Sequence, residues 1–296
     1  MTVLILRALG IGDLCAATPA LRALRRAYAR DRLVLAAPGW LAPLAALTGA
    51  LDDLTELGSL DDPIPRAERR PRLAVNLHGK GPQSHRLLLA TEPGDLLAYR
   101  CPTANWDDGP DHRDAEHEVR RWCRLLSWAG LAVDPTDLTL LPPLVAAPVD
   151  AATIVHPGAK DPGRRWAPER FATVARALAD HGHDVVVTGE AADAPAATRI
   201  AEHSGARVLA GRTRVDDLAA LVAGARLVIC GDTGLAHLAT AYGTPSVVLF
   251  AHMDPALWGP PESDRHQVIR HPEAADPLAA ITPREVLAAV DRALAA

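Results

Sequence analysis

Short apolar runs alternate with amphipathic segments along most of the chain, and glycine, proline or small polar residues mark the changes between them. In the first half, residues 3–6, 33–37 and 73–77 are apolar runs with the length of buried strands. Thr18 and Pro19 carry the signals of a helix start, because proline is favoured at the first helical position. This alternation predicts α/β structure built on parallel sheets.

A proline-rich segment without periodicity, residues 141–148, interrupts the pattern and predicts an interdomain linker. It divides the chain into an N-terminal domain, residues 1–147, and a C-terminal domain, residues 148–282. Strands and helices alternate in both halves, so each half is predicted to be a doubly wound α/β domain. The last amphipathic segment, residues 283–296, predicts a helix that could return to pack on the N-terminal domain.

The chain is organised around residues 231–250, which combine a glycine turn, a helix and a strand after an apolar run. Asp232 or Thr233 is a natural N-cap for a helix that begins near Gly234, and Gly243 is placed to end it. Such a helix presents its first N–H groups and its positive dipole end to an anion. The stretch therefore predicts a diphosphate site, although an ordinary helix cap inside a βαβ unit is the plainer alternative.

A glycine-containing loop follows the first predicted strand and ends in an acid. Gly10 and Gly12 give only half of the dinucleotide-binding fingerprint, whose third glycine is missing, and this disfavours a Rossmann-type dehydrogenase. Asp13 comes directly after them at the carboxyl end of the strand, which is the edge where open α/β sheets bind ligands. Asp13 is therefore either a functional carboxylate or a helix N-cap.

Bulk composition excludes several classes of protein. The chain has 296 residues and a net charge of −5, and its isoelectric point is near 6.2, which argues against nucleic-acid binding. Its four cysteines have no metal-ligand spacing, and the metal interpretation of His112, Asp114 and His117 is weaker than that of a solvated loop. The N-terminus does not resemble a signal peptide, and no apolar run is long enough to span a membrane. We expect a cytoplasmic protein with at most peripheral membrane contact.

Three groups of motifs lie in order along the chain. The first is LILRALGIGD at residues 4–13 with TPALRAL at 18–24, and the second is HPGA at 156–159 with RRWAPERF at 164–171. The third is GDTGLAHLA at 231–239 with GTP at 243–245. Together they resemble glycosyltransferase family 9, the heptosyltransferase-like enzymes. The resemblance implies the α/β GT-B fold, in which two doubly wound Rossmann-like parallel-sheet domains face a central cleft.

The resemblance also implies roles for particular residues. The N-terminal domain would bind the acceptor, and Asp13 would be the general base, which is reasonable because a sugar hydroxyl must lose its proton to become a good nucleophile. The C-terminal domain would bind the donor diphosphate through Lys160, Arg165, Asp232, Thr233, Gly234, Leu235 and His237. The ribose and base of the nucleotide would lie near His156, Gly158, Glu190 and Asp193. On the acceptor side the candidates are Gly12, His78, Lys80 and Arg86. Which of Lys160, Arg164 and Arg165 contacts phosphate stays open at this point.

The expected reaction is inverting transfer of a heptose-like sugar from a nucleotide-diphospho-sugar, ADP-heptose above all, to a hydroxyl group. The acceptor would be a glycan, a lipid-linked glycan or a small molecule. No Asp-x-Asp motif is present, so we expect no metal and no cofactor. A GT-B sugar-nucleotide epimerase and a non-catalytic nucleotide-sugar-binding module are the alternatives, and the first predicts turnover of donor without an acceptor.

Overall fold

The computed structural model describes residues 1–296 and divides into two compact units, Met1–Leu141 and Pro142–Ala296. The division falls at the start of the predicted proline-rich linker, slightly before the expected boundary after residue 147. No helix is long and apolar enough to cross a membrane.

The first unit is built on one parallel sheet. Its strands are β1 (Thr2–Leu6), β2 (Arg32–Ala37), β3 (Asp53–Glu56), β4 (Leu73–Asn76) and β5 (Leu96–Leu97). Its helices are α1 (Ile11–Ala27), α2 (Ala42–Ala46), α3 (Gln83–Leu89) and α4 (Glu118–Trp128), with 3₁₀ turns at Gly39–Leu41, Arg66–Glu68 and Pro102–Ala104. The strand order is β3-β2-β1-β4-β5, and every neighbouring pair is parallel. β1 and β2 are buried almost throughout, which explains why they are nearly continuous apolar runs.

Helix α1 begins earlier than the sequence predicts. The expected start at Thr18 and Pro19 is wrong, because the helix already begins at Ile11 and Pro19 lies inside it. Asp13 at the third helical position accepts a hydrogen bond from Gly10 N, at 3.2 Å, and so caps the helix start. The apparent glycine loop therefore becomes the first turn of a helix.

The second unit is built on a larger parallel sheet. Its strands are β6 (Thr153–His156), β7 (Val185–Val187), β8 (Arg207–Val208), β9 (Leu227–Gly231), β10 (Ser246–Phe250) and β11 (His266–Arg270). Its helices are α5 (Pro168–Asp180), α6 (Ala194–Ser204), α7 (Val215–Ala223), α8 (Gly234–Tyr242), α9 (Pro255–Trp258), α10 (Pro277–Ala280) and α11 (Pro283–Ala295), with 3₁₀ turns at Pro162–Arg164 and Ala191–Asp193. The strand order is β11-β10-β9-β6-β7-β8, again parallel throughout.

The final helix belongs to the core of the second unit. Val286, Ala289 and Val290 of α11 are buried there together with Trp166 and Phe171, whose rings meet edge to face at 4.8 Å. α11 packs on α5, β10 and β11. The sequence also allowed this helix to pack on the first domain, but its apolar stripe is already used within its own unit.

Each sheet has one point at which the strand order reverses. In the first unit it lies between β1 and β4, and in the second between β6 and β9. At such a point the loops leaving the two strands turn in opposite directions, and the carboxyl ends of the strands border a ligand-binding crevice. The predicted motifs around Asp13 and Asp232 follow β1 and β9, so each lies at the reversal point of its own sheet.

Candidate functional site

The Asp13 carboxylate is held on two sides. Its Oδ2 accepts the hydrogen bond from Gly10 N, and its Oδ1 lies 3.2 Å from Nη2 of Arg7. Nε of Arg7 also donates to the main-chain oxygen of Asp13, at 2.6 Å. The Asp13 side chain keeps 26% of its surface exposed, so the carboxylate is fixed in direction and still accessible to a ligand.

Arg7 is a buried cation, with only 2% of its surface exposed. Its Nη2 also lies 2.9 Å from Oε1 of the buried Glu118, and its Nη1 donates to the main-chain oxygen of Leu77. The guanidinium carbon is 5.0 Å from the centre of the Trp122 ring, in cation–π geometry. Glu118 is held in turn by Trp122 Nε1, at 2.7 Å, and by Arg121. The buried arginine thus connects β1, the loop after β4 and α4 at one point.

The predicted acceptor-side residues differ in their surroundings. Nδ1 of His78 is buried and forms no hydrogen bond, and burial together with the nearby charge of Arg7 lowers the pKa of His78, against an opposing effect of Asp13. Lys80 is exposed and pairs with Asp114 at 3.1 Å. Arg86 donates to the main-chain oxygen of Thr103 at 2.6 Å. The charges of Arg7 and Asp13 therefore both act on His78.

Gly12 lies buried in the first turn of α1 and brings no side chain to the acceptor side. His112 pairs with Asp114 at 3.2 Å, and His117 is the N-cap of α4. No group of three histidine, cysteine, aspartate or glutamate side chains is arranged to hold a metal ion.

The start of α8 carries an ion pair between a buried carboxylate and a partly exposed arginine. Asp232 is 8% exposed, and its Oδ2 lies 3.2 Å from Nη1 of Arg164. Burial raises the pKa of Asp232, and the charge of Arg164 opposes the rise. A Cβ added to Gly231 would lie 3.1 Å from the main-chain oxygen of Arg164. The loop after β6 is a basic loop that carries Lys160, Arg164 and Arg165. It therefore packs directly against the glycine turn after β9.

Thr233 is the N-cap of α8 with extended backbone, as predicted, but its side chain makes no capping hydrogen bond. Its Oγ1 is buried without a hydrogen-bond partner that meets standard geometry, and the thiol of Cys230 is its polar neighbour. The first N–H groups of a helix have no partner within the helix, so at Gly234 and Leu235 the main chain can donate to an anion. His237, one turn later, meets the ring of Trp258 edge to face at 5.8 Å.

Asp193 ties together the loops at the carboxyl ends of β6 and β7. Its Oδ2 accepts from Glu190 N at 3.0 Å, and its Oδ1 lies 3.4 Å from Nη2 of Arg165. It is 6% exposed and packs on Gly158. Its carboxylate is therefore engaged within the protein, whereas the side chain of Glu190 is exposed at the same edge. Of these two acids predicted to lie near the nucleotide, Glu190 is the one that a ligand can reach.

The side chain of His156, the last residue of β6, also has a hydrogen-bond partner within the protein. Its Nδ1 lies 2.9 Å from Oγ1 of Thr188. Burial lowers the pKa of His156 to about 4, against an opposing effect of Asp193. The imidazole is therefore neutral at pH 7.

The three cations of the basic loop are now distinguished by their partners. Arg164 pairs with Asp232, and Arg165 pairs with Asp193 and donates to the main-chain oxygen of Ala159 at 2.9 Å. Lys160 is exposed, and the ion pairs of this loop are formed by the two arginines. Lys160 can therefore reach a phosphate without giving up a protein partner, while Arg164 stands at the start of α8.

The residues that support the predicted site carry no clear signal in the local sequence. Arg7 lies within the first motif, residues 4–13, but nothing in the local sequence gives it a role. An arginine directly after a fully apolar strand is a signal, because a charge there is buried unless the chain provides a partner. The partner, Glu118, is 111 residues away, and no local pattern identifies it.

Comparison with known proteins identifies relatives of this chain. The sequence model of a family described as glycosyltransferase family 9 (heptosyltransferase) matches residues 100–285. Lipopolysaccharide heptosyltransferase 2 of Escherichia coli (strain K12) is 35% identical over 121 residues, which make up 38% of this chain and 34% of that protein. The chain thus spans about a third of the length of the curated relatives that it matches.

Two solved structures have the same fold over nearly the whole chain. The E. coli ADP-heptose LPS heptosyltransferase II has a TM-score of 0.82 at 23% identity, with 100% of this chain and 99% of that chain covered. The E. coli heptosyltransferase WaaC with ADP has a TM-score of 0.81 at 18% identity, with 99% and 100% covered. These likenesses confirm the predicted fold, two parallel-sheet α/β domains of the GT-B type.

Proposed function

Since this chain belongs to glycosyltransferase family 9, we propose that it transfers a heptose-like sugar from a nucleotide-diphospho-sugar to a hydroxyl group. The observation that carries the proposal is the Asp13 carboxylate, which is fixed by Gly10 and Arg7 and is still open at the reversal point of its sheet. In this proposal the first unit binds the acceptor and the second binds the donor.

Asp13 is the proposed general base. The acceptor oxygen attacks the anomeric carbon, the bond from that carbon to the diphosphate breaks, and the proton of the hydroxyl passes to Asp13. One displacement of this kind inverts the anomeric centre and needs no covalent intermediate. A positioned base contributes typically 10²- to 10⁴-fold to such a step.

The start of α8 is the proposed site of the leaving diphosphate. Main-chain N–H groups at Thr233, Gly234 and Leu235 would donate to the diphosphate, and the helix dipole would contribute in the same direction. Lys160 would supply an exposed cation and Arg164 a cation held by Asp232. These groups would carry the positive charge that the developing diphosphate requires, and this supports a metal-independent reaction.

The exposed Glu190 at the end of β7 is the proposed ligand of the ribose hydroxyls. In this proposal the nucleotide also contacts the surface formed by His156, Gly158 and Asp193. We take ADP-heptose as the donor because one relative is described as an ADP-heptose heptosyltransferase and another was solved with ADP. The proposed acceptor is a glycan, with lipopolysaccharide the first choice because it is named in relatives, and any membrane contact would be peripheral.

The proposal is tested by incubating the purified protein with ADP-heptose, with and without heptose-deficient lipopolysaccharide, and measuring ADP release and the sugar product. Transfer that depends on the acceptor and inverts the anomeric centre supports the proposal. Turnover of the donor to an isomer without acceptor would instead show an epimerase, and binding without turnover a non-catalytic module. A parallel thermal-shift series with ADP, UDP and GDP reports the preferred base, because a ligand that binds the folded state raises stability by RT ln(1 + [L]/Kd).

A further inference from the structure

Arg7 uses its side-chain donors in three directions at once. Nε donates to the main-chain oxygen of Asp13, Nη1 donates to Leu77, and Nη2 faces both the Asp13 and the Glu118 carboxylates, at 3.2 and 2.9 Å. The guanidinium plane is further fixed by the ring of Trp122. The planar guanidinium group of Arg7 can satisfy all these partners in only one orientation, and the ammonium group of a lysine cannot reproduce that arrangement.

We propose that Arg7 is a positioning residue for Asp13, and that Glu118 and Trp122 of α4 set its position. The inference rests on the proposed role of Asp13 as the base. In this arrangement the direction of the reactive carboxylate is determined by α4, which is far away in the sequence but packs on α1 in the fold.

Geometry supports this assignment because the carboxylate is fixed from opposite ends. Gly10 N holds Oδ2 and Arg7 holds Oδ1, so rotation of the carboxylate about its Cβ–Cγ bond would break one contact or both. A base must lie within hydrogen-bond reach of the proton that it takes, and a displacement of about 1 Å can cost on the order of 10²-fold in rate. The restraint therefore acts on catalysis and not only on folding.

Charge gives a second, independent argument. Two cations, Arg7 and Arg121, face two carboxylates, Asp13 and Glu118, and Arg7 is shared between both acids. His78 is a further titratable group in the same field, and its pKa is lowered by burial and by Arg7. Glu118 thus competes with Asp13 for one guanidinium. Removing the charge of Glu118 should leave Arg7 to Asp13, while removing the charge of Arg7 should leave Asp13 without its cation.

The test compares Arg7→Lys, Arg7→Gln and Glu118→Gln with wild type. Arg32→Lys is the matched control, since Arg32 also pairs with a buried carboxylate, Glu68. That pair lies at the amino-terminal end of the strands, whereas Arg7 follows the carboxyl end of β1. The measurements are kcat and KM for the donor, the acidic limb of the pH–rate profile, and the stabilisation by ADP. The NMR chemical shift of the Asp13 carboxyl carbon at one fixed pH is recorded for each variant as a readout that needs no turnover.

Arg7→Lys is expected to lower kcat roughly ten- to a hundredfold with little change in the donor KM. Arg7→Gln should lower kcat and move the acidic limb of the pH–rate profile to higher pH, because the neighbouring cation is lost. Glu118→Gln should move the acidic limb to lower pH, because a neighbouring negative charge is lost. Opposite displacements are a signature that a purely structural arginine would not produce. Arg32→Lys should change none of these quantities.

The inference is overturned if the acidic limb and the Asp13 carboxyl-carbon signal are the same in wild type, Arg7→Gln and Glu118→Gln, or if both Arg7 variants keep the wild-type kcat. If Arg7→Gln does not fold, Glu118→Gln decides the question, because the glutamine keeps the volume and the acceptor oxygen for Arg7 and Trp122. Absence of sugar transfer by the wild type would overturn the proposed function instead, while a changed Asp13 carboxyl-carbon signal in the Arg7 variants would still show the coupling of Arg7 to Asp13.

Discussion

Gly158 and Asp193 are packed so closely that a Cβ added to the glycine would lie 2.3 Å from Oδ2 of the carboxylate. The same carboxylate accepts a hydrogen bond from Glu190 N and pairs with Arg165. The glycine is therefore needed for space, and through Asp193 it influences both the basic loop after β6 and the loop after β7 that carries Glu190.

Gly158→Ala should weaken nucleotide binding and destabilise the second unit, because Asp193 must move and leave Glu190 N or Arg165 without its partner. We expect a loss of about 1–3 kcal/mol in the free energy of unfolding, the usual cost of an unpaired buried polar group, and a lower affinity for ADP. Gly224→Ala is the matched control, since a Cβ there meets no atom closer than 3.6 Å. Chemical denaturation and calorimetric titration with ADP measure both effects, and equal behaviour of the two variants would refute the packing argument.

Asp13→Asn should abolish most of the transfer activity and leave donor binding unchanged. The amide keeps the shape of the side chain but cannot take a proton, so the rate should fall by about 10²- to 10⁴-fold. Since the proposed donor residues all belong to the second unit, the thermal shift caused by ADP should stay at the wild-type value. Transfer at the wild-type rate in this variant would show that another group is the base.

Much of the fold could be predicted from the sequence because parallel strands buried on both faces are continuous apolar runs. β1, β2, β4 and β9 fall on such runs, and the glycine turn before α8 was visible as a break after β9. The start of α1 was misjudged because Thr18 and Pro19 give a strong local start signal. The capping contact between Gly10 and Asp13 lies earlier, where two glycines suggested a loop.

The candidate site was less predictable because its supporting contacts join distant segments. Arg164 reaches Asp232 across 68 positions and Arg7 reaches Glu118 across 111, and neither pairing leaves a periodic trace in the sequence. Asp193 matched a ribose ligand by its place after β7, yet the structure engages it internally. Sequence patterns indicate which edge of a sheet carries polar groups, while the fold decides which of those groups remain accessible.

The ion pair between Arg164 and Asp232 gives a prediction that depends on pH. The pKa of Asp232 is raised by burial, so folding favours its protonated form, and the stability that this form contributes is lost as the pH rises through the raised value. Arg164 opposes this loss. Arg164→Gln should therefore destabilise the protein more at pH 8 than at pH 5, by about 1–3 kcal/mol at the higher pH, since Arg164 is partly exposed.

The double variant Arg164→Gln with Asp232→Asn is the control for that prediction. The neutral amide needs no cation, so the double variant should regain part of the stability and should lose the additional pH dependence. Urea denaturation of the four proteins of this double-mutant cycle at both pH values measures the coupling. Additive effects at pH 8 would show that the two side chains do not stabilise each other.

The imidazole of His156 makes stability depend on pH in the opposite direction. Burial lowers the pKa of His156 from 6.5 to about 4, so the folded state holds this side chain neutral. A group with a lowered pKa contributes stability that is fully present above its unfolded value and is lost as the pH falls toward the folded value. Wild type should therefore lose roughly 3 kcal/mol from this residue between pH 6.5 and 4, at up to about 1.4 kcal/mol per pH unit.

His156→Gln should flatten this part of the stability curve, because the glutamine does not titrate. Thr188→Val provides the contrast: it removes the hydroxyl 2.9 Å from Nδ1 of His156, should lower stability by about 1–3 kcal/mol at neutral pH, and should leave the slope in place. Urea denaturation at half-unit steps from pH 7 to pH 4 separates the two effects. His156→Gln should change the slope of the free energy of unfolding against pH, whereas Thr188→Val should lower that free energy by the same amount at every pH. A His156→Gln curve parallel to that of wild type would show that His156 is protonated as readily in the folded protein as in the unfolded chain.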